Sequence, residues 1–236
     1  MTSSRIALVT GASRGLGRAA ALALAKTGVH VIATGRTIGA LEELDDDISA
    51  ADGECTLVQM DLRDRPALTN LAAAIKERWG RLDIMIANAG LLGVLTPASH
   101  LDEEIWDEVI DTNLSAVWRM IRVFDGLLQA APMGRAVVVT SSAAYGANYP
   151  FWSAYSASKA GVEALTQSWA AEVSTTNLKV NLLDPGGVGT SMFGSAFPGA
   201  NLKEMPQPED IAPAFVKLAA EDCPYHGEVL RASALL

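Results

Sequence analysis

Cysteine occurs twice in this 236-residue chain and histidine three times, and Lys plus Arg number 18 against 27 Asp plus Glu. Each shortage removes a class of function. Cys55 and Cys223 stand alone, with no second pair to form a disulfide framework or a zinc site, and read as free core thiols of an intracellular protein. His30, His100 and His226 are scattered, no two at metal-ligand spacing, so no metal is expected. A formal charge of −9 leaves no basic stripe for nucleic acid. A small anion is still possible, because local groups decide that. No apolar run approaches the roughly 18 residues of a membrane span; the longest, Ala19–Ala25, is cut by Lys26. A strand-like run at Arg5–Val9 leaves no room for a signal peptide before it. The expectation is a cytoplasmic protein with neither a nucleic-acid nor a membrane partner.

Apolar residues are plentiful. They make up 50% of the chain, with 19% charged, enough for a large core. Short, nearly all-apolar runs alternate with longer helical stretches. Ile6–Thr10, Val29–Thr34, Cys55–Met60, Ile84–Ala87, Ala136–Ser141 and Val180–Leu183 read as strands, with a seventh near Glu228–Arg231. Gly15–Thr27, Ile38–Ala51, Arg65–Arg78, Asp102–Gln129, Ser153–Thr175 and Pro208–Ala220 read as helices. This alternation predicts an α/β fold: a doubly wound parallel sheet of about seven strands with helices on both faces, a Rossmann fold. No linker or repeat interrupts it, so residues 1–236 are expected to form one domain. Thr190–Gln207 reads as a long unstructured segment, either a lid over a site or a solvated connection.

The first strand runs into Thr10-Gly11-Ala12-Ser13-Arg14-Gly15-Leu16-Gly17. A glycine-rich turn between a strand and a helix exposes backbone N–H groups at a helix N-terminus, where a pyrophosphate can approach. The spacing is G-x-x-x-G-x-G, and no Gly-Lys-Ser/Thr follows as in a nucleotide triphosphate loop. Two arginines bear on which dinucleotide would bind. Arg14 lies in the turn, and Arg36 follows the second strand, where NAD-binding units place an acid. Here no acid occurs until Glu42. Guanidinium groups suit the 2′-phosphate of NADP(H), so NADP(H) is expected ahead of NAD(H). The plainer alternative is two ordinary surface arginines. Asp61-Leu62, after the third strand, could flank an adenine, or Asp61 could cap a helix.

Tyr155 follows Ser142 by thirteen residues and precedes Lys159 by four. On a helix, positions four apart share a face. An ammonium beside a phenol is expected to lower the phenol's pKa, so that it exchanges a proton with a carbonyl or an alcohol. By itself a Y-x-x-x-K pair is common and carries little.

Together with the ordered set around it, the pair carries much more. Thr10–Gly17, Asp61-Leu62, Asn88-Ala89-Gly90, Asn113, Ser142, Tyr155, Lys159, and Pro185-Gly186 with Thr190 run through nearly the whole chain. In this order and spacing the sequence resembles the short-chain dehydrogenase/reductase family, in its compact single-domain branch. The resemblance implies a hydride transfer between NADP(H) and a carbonyl or secondary alcohol. Tyr155 would be the general acid/base, Lys159 would tune it and bond the nicotinamide ribose, and Ser142 would orient the substrate oxygen. Asn113 would anchor a proton-relaying water. The cofactor would lie along Thr10, Gly11, Ser13, Arg14, Gly15, Leu16, Gly17, Arg36, Asp61, Leu62, Asn88, Ala89, Gly90, Tyr155, Lys159, Pro185, Gly186, Val188 and Thr190. The Asn88-Ala89-Gly90 segment would support the central strand, with Thr10 tied to it. Read from the residues alone, Asn113 could merely bond backbone, and Asn-Ala-Gly could be only a turn.

Around these residues lie Leu91, Leu92, Tyr145, Tyr149, Phe151, Trp152, Met192, Phe193 and Phe197. They line either a pocket for a small-molecule substrate with apolar parts or a packing contact. The segment Pro185–Pro198 is similar to a bacterial subgroup of uncharacterised oxidoreductases. The two long helices carry Trp106, Trp118, Phe124 and Trp169, and in relatives such helices pair across a two-fold axis. A homodimer or homotetramer is therefore expected, although the ending Arg231–Leu236 lacks the family's usual terminal pattern. The competing expectation is a non-catalytic NADP(H)-binding sensor or scaffold of the same fold.

Overall fold

The computed structural model describes residues 4–145 and 148–236. Among them seven strands form one sheet, ordered β3-β2-β1-β4-β5-β6-β7. They are β1 Ile6–Thr10, β2 His30–Gly35, β3 Cys55–Gln59, β4 Ile84–Ala87, β5 Arg135–Val139, β6 Lys179–Asp184 and β7 Val229–Arg231, and every pair is parallel. The doubly wound expectation holds, and the order reverses between β1 and β4. A crevice opens there, beyond the carboxyl ends of the strands.

Alternation along the strands divides the core into two layers. Ile6 and Leu8 of β1 face one layer, with α3 (Arg65–Trp79), α5 (Ala116–Gln129) and α6 (Ser153–Glu172) packed on it. Ala7 and Val9 face the other, under α1 (Gly15–Ala25), α2 (Ile38–Ala50) and α8 (Pro208–Ala219). Burial on both faces explains why the strands read as continuous apolar runs. Phe124 and Trp169, expected on an association face, belong to this interior at 0% and 3% exposure. Trp169 Nε1 donates to Asp125 Oδ1 at 2.8 Å, which satisfies its one polar atom.

The predicted helix Asp102–Gln129 is three pieces. Asp102 precedes α4 (Glu103–Ile110), a π turn spans Asp111–Ser115, and α5 follows. The acids Glu103 and Glu104 sit in the first turn, where the macrodipole favours them. The segment 190–207 is not a bare loop. It holds α7 (Ser191–Ala196), capped by Thr190, whose hydroxyl accepts from Phe193 N at 3.3 Å, and a 3₁₀ turn at Leu202–Glu204. A six-residue helix dependent on one cap is too short for periodicity to reveal. A last short helix, α9 (Ala232–Leu235), follows β7.

Cys55 and Cys223 are free, as expected. Among the described residues no group of His, Cys, Asp or Glu could hold a metal ion. Among them, too, no helix is long and apolar enough to cross a membrane.

Candidate active site

The site begins at the end of β1. Thr10 is fully buried, and its hydroxyl accepts from the backbone N–H of Asn88 at 3.1 Å and of Ala89 at 3.2 Å. Asn88 Nδ2 donates to Thr10 O at 3.0 Å. The turns after β1 and β4 are thus stitched together. Gly11 has φ +65°, and a Cβ there would lie 2.9 Å from the Ala89 Cα. A Cβ on Gly17 would meet the Gly11 carbonyl oxygen at 2.3 Å, so Gly17 lets α1 pack against the turn. Asp61 does not cap α3; Asp64 does, accepting from Ala67 N at 3.1 Å. Asp61 instead accepts from Arg63, Oδ2 to Nη2 at 2.7 Å, and its carboxyl is held below the usual range by that bond.

A cavity of about 800 Å³ runs along the carboxyl edge of the sheet. At one end stand Ser13, Arg14, Arg36, Asp61 and Leu62. Gly11, Gly15, Leu16, Asn88, Ala89 and Gly90 line its middle, and Ser142, Tyr155, Lys159, Pro185, Gly186, Val188 and Thr190 the other end. Three predicted site residues are not on its wall. Thr10 and Gly17 lie behind it, in the structural roles just given. Asn113, in the π turn, is 1% exposed, and its side chain is fully engaged. Its Oδ1 accepts from Leu91 N at 2.7 Å, and its Nδ2 donates to Leu91 O at 2.8 Å and Ser158 Oγ at 3.0 Å. These bonds make the Asn113 amide a prop for the wall of the site.

The arginine end fits a phosphate. Arg14 and Arg36 are exposed and, among the described residues, have no ion-pair partner. Gly35 occupies the place of the acid of NAD-type units, and a Cβ on it would crowd Ser13 at 3.2 Å. The cavity's middle adjoins the N-terminus of α1, where unpaired N–H groups favour an anion. A dinucleotide with a 2′-phosphate therefore fits this cradle.

At the other end α6 places Tyr155 and Lys159 one turn apart on one buried face. Lys159 Nζ donates to Val139 O at 2.7 Å, and it lies 5.8 Å from the Tyr155 ring centroid. A Cβ on Gly90 would be 3.8 Å from that Nζ. Burial pulls the Lys159 ammonium down to about 8, against an opposing pull from Glu163. Burial pushes the Tyr155 phenol up to about 12, with a smaller lowering by a hydrogen bond from Ser141 and a raising by Asp184. The lowering of the Tyr155 pKa by Lys159, expected from the sequence, is therefore not what this structure has. The ammonium is turned to a carbonyl, and desolvation dominates.

Two further residues were missed in the sequence. Ser141 supplies the hydroxyl that bonds Tyr155, whereas the Ser142 hydroxyl is 2.8 Å from Tyr149 Oη. β5 ends at Val139, two residues before the predicted end, so both serines lie beyond the strand. Glu163, one turn after Lys159, accepts from the Thr140 hydroxyl at 2.7 Å. Of the predicted pocket residues, Leu91, Leu92, Tyr149, Trp152, Met192, Phe193 and Phe197 line the cavity. Tyr145 and Phe151 do not, and are largely exposed.

Known proteins share this fold. The model of the short chain dehydrogenase family matches residues 5–201. The uncharacterized oxidoreductase YciK of Escherichia coli is 34% identical over 227 residues, covering 94% of this chain and 88% of that protein. A short chain dehydrogenase structure from Shigella flexneri, complexed with NADP, superposes with a TM-score of 0.92 at 33% identity, covering 97% of each chain. One from Escherichia coli, complexed with NADPH, gives 0.91 at 33% identity, with 97% and 96% covered.

Proposed function

Because the chain belongs to the short-chain dehydrogenase family, we propose that it is an NADP(H)-dependent reductase of a carbonyl compound, running in reverse on the secondary alcohol. The observation that carries this reading is the placement of Tyr155 and Lys159. They are buried one turn apart on α6, at the end of a cavity whose far end is a cradle with the exposed Arg14 and Arg36. The NADP and NADPH complexes of the two related structures support the choice of cofactor.

NADPH, when bound, supplies the hydride that reduces the carbonyl carbon. The chain's own residues manage the oxygen and the proton. Arg14 and Arg36 hold the 2′-phosphate, and the glycine turn with the start of α1 receives the pyrophosphate. Asp61 and Leu62 flank the adenine. Asn88, Ala89 and Gly90 form the floor beside the nicotinamide ribose, which Lys159 bonds, and Pro185, Gly186, Val188 and Thr190 bound the nicotinamide. Ser142 and Ser141 orient the substrate oxygen. As that oxygen gains negative charge, the Tyr155 hydroxyl gives it a proton, and the products are the alcohol and NADP⁺. A phenol kept protonated by burial is in the form that reduction requires. The Lys159 ammonium, one turn away, would stabilise the phenolate until a proton from solvent restores the phenol.

The substrate body is apolar, because Leu91, Leu92, Met192 and Phe193 line the same cavity as Tyr155. Residues 1–236 act as one domain, and 190–207 serves as the lid of its site. The protein associates at least as a dimer through α4, α5 and α6. Its place of action is the cytoplasm. The intact set of Ser142, Tyr155 and Lys159 favours this enzyme over a non-catalytic sensor of the same fold.

The test is NADPH oxidation over a panel of aldehydes, ketones, quinones and 3-oxoacyl thioesters, with Tyr155→Phe as the control. Turnover should fall by about 10²- to 10⁴-fold in the variant, with NADPH binding retained. No turnover on the panel despite tight NADPH binding would favour the sensor.

A further inference from the structure

We propose that the site selects a substrate with a flat aromatic ring on its carbonyl carbon, and that Trp152 is the residue that reads that ring. This deepens the reductase reading and rests on it.

The observation is an unbroken chain of aromatic rings leading from α7 to the reacting hydroxyl. Phe193 and Phe197 of the lid stand 4.7 Å apart, and Phe197 is 5.6 Å from the Trp152 indole. Trp152 in turn meets the Tyr155 phenol edge-on at 5.7 Å and 73°, and Tyr149 at 5.3 Å and 64°. A carbonyl whose oxygen reaches Tyr155 must carry its substituent alongside this wall. Phe197 lines the cavity and is 41% exposed, so part of its ring faces open space.

The backbone is strained to build the wall. Phe151 has φ +75°, a left-handed conformation that a bulky residue rarely adopts. Its carbonyl accepts from Thr96 N at 3.1 Å, which locks the turn. The Phe151 side chain is left facing solvent, and the next residue, Trp152, enters the cavity as the cap of α6. Strain of this kind persists where surrounding structure enforces it, and it clusters at ligand sites.

The cavity is also lined by the aliphatic side chains of Leu91, Leu92 and Met192. Those side chains accept an aromatic or a saturated ring about equally, through burial. The aromatic wall discriminates, because edge-to-face and offset ring pairs gain beyond the area they bury. A saturated ring has no such quadrupole.

Acetophenone and cyclohexyl methyl ketone test this, since they have the same carbon skeleton and differ in the ring. Binding to the protein saturated with NADP⁺ is measured by calorimetry, and reduction by NADPH oxidation. Acetophenone should bind about fivefold more tightly, and its kcat/KM relative to the saturated ketone should fall when the aromatic wall is removed. Trp152→Leu should bring the binding ratio near one, and Trp152→Phe should keep most of it. If Trp152→Leu fails to fold, Phe197→Leu serves, with a lowered ratio expected. Equal binding and equal reduction by the parent, or a ratio unchanged in the leucine variants, overturn the proposal alone. A binding preference without any NADPH oxidation overturns the reductase reading and supports the aromatic site. Neither binding nor turnover overturns both.

Discussion

Lys159 and Val139 are joined by a hydrogen bond of 2.7 Å from the side-chain ammonium to the main-chain carbonyl, across the gap between α6 and the end of β5. This is the hydrogen bond that holds the ammonium, which also lies 5.8 Å from the centre of the Tyr155 ring. Two partners fix the last residues of that strand, because Glu163 holds the adjoining Thr140 at 2.7 Å.

The buried lysine makes stability depend on pH. Its folded value is about 8, against 10.5 in the open chain. Between these values the unfolded state binds more protons, so this group's contribution to stability rises with pH. Below about pH 8 the fold carries a buried charge. Lys159→Met carries none. The stability difference between variant and parent should therefore shift toward the parent between pH 7 and pH 10. Urea denaturation at both values measures it, and an unchanged difference would contradict the assignment.

Glu163 opposes the effect of burial on Lys159. In Glu163→Gln the ammonium should lose its proton at lower pH, moving the alkaline limb of kcat/KM down by about one pH unit. Thr140→Val removes the hydrogen bond and keeps the carboxylate. It should lower the rate without moving the limb, and equal displacement in both variants would point to a purely structural role.

Arg36 should decide the cofactor. Arg36→Asp replaces a guanidinium with a group that repels phosphate. A lost charge-assisted hydrogen bond of about 1.5–3 kcal/mol predicts at least a tenfold weaker NADPH affinity, with NADH affected much less. Fluorescence titration of the two cofactors reads this directly, and an unaltered preference would count against the cradle.

Association should use the exposed aromatics of α4 and α5. Trp118 is 48% exposed and lies 5.9 Å beneath the Arg122 guanidinium; Trp106 is 38% exposed. At micromolar concentration light scattering should give at least twice the 24.8 kDa chain mass. Trp118→Asp should lower that mass. A parent protein that is monomeric would remove this interface.

Much of the site was legible because it is written in local chemistry. The glycines of Gly11–Gly17 are needed where backbone meets backbone, Gly17 at a distance no side chain could enter. The four-residue step from Tyr155 to Lys159 places both on one helical face whatever surrounds them. The seven parallel strands followed from apolar runs buried on both sides. For each of these, a residue and its neighbours in sequence carry enough information.

What the sequence could not determine depended on groups distant along the chain. Tyr155 is raised and not lowered because its burial, reinforced by Asp184, outweighs the Ser141 hydrogen bond, and burial is a property of the assembled cavity. Of two adjacent serines, only their position beyond β5 decided that Ser141 bonds Tyr155 and Ser142 meets Tyr149. Asn113 is a prop for Leu91 because β4 and the π turn converge there. Phe124 and Trp169 turned inward because the packing of α5 and α6 on the sheet, not their aromatic character, set which helix face is covered. Sequence by itself determined the fold and which side chains could do chemistry. The tertiary structure decided their partners and protonation, because desolvation and hydrogen bonding act between groups that only folding brings together.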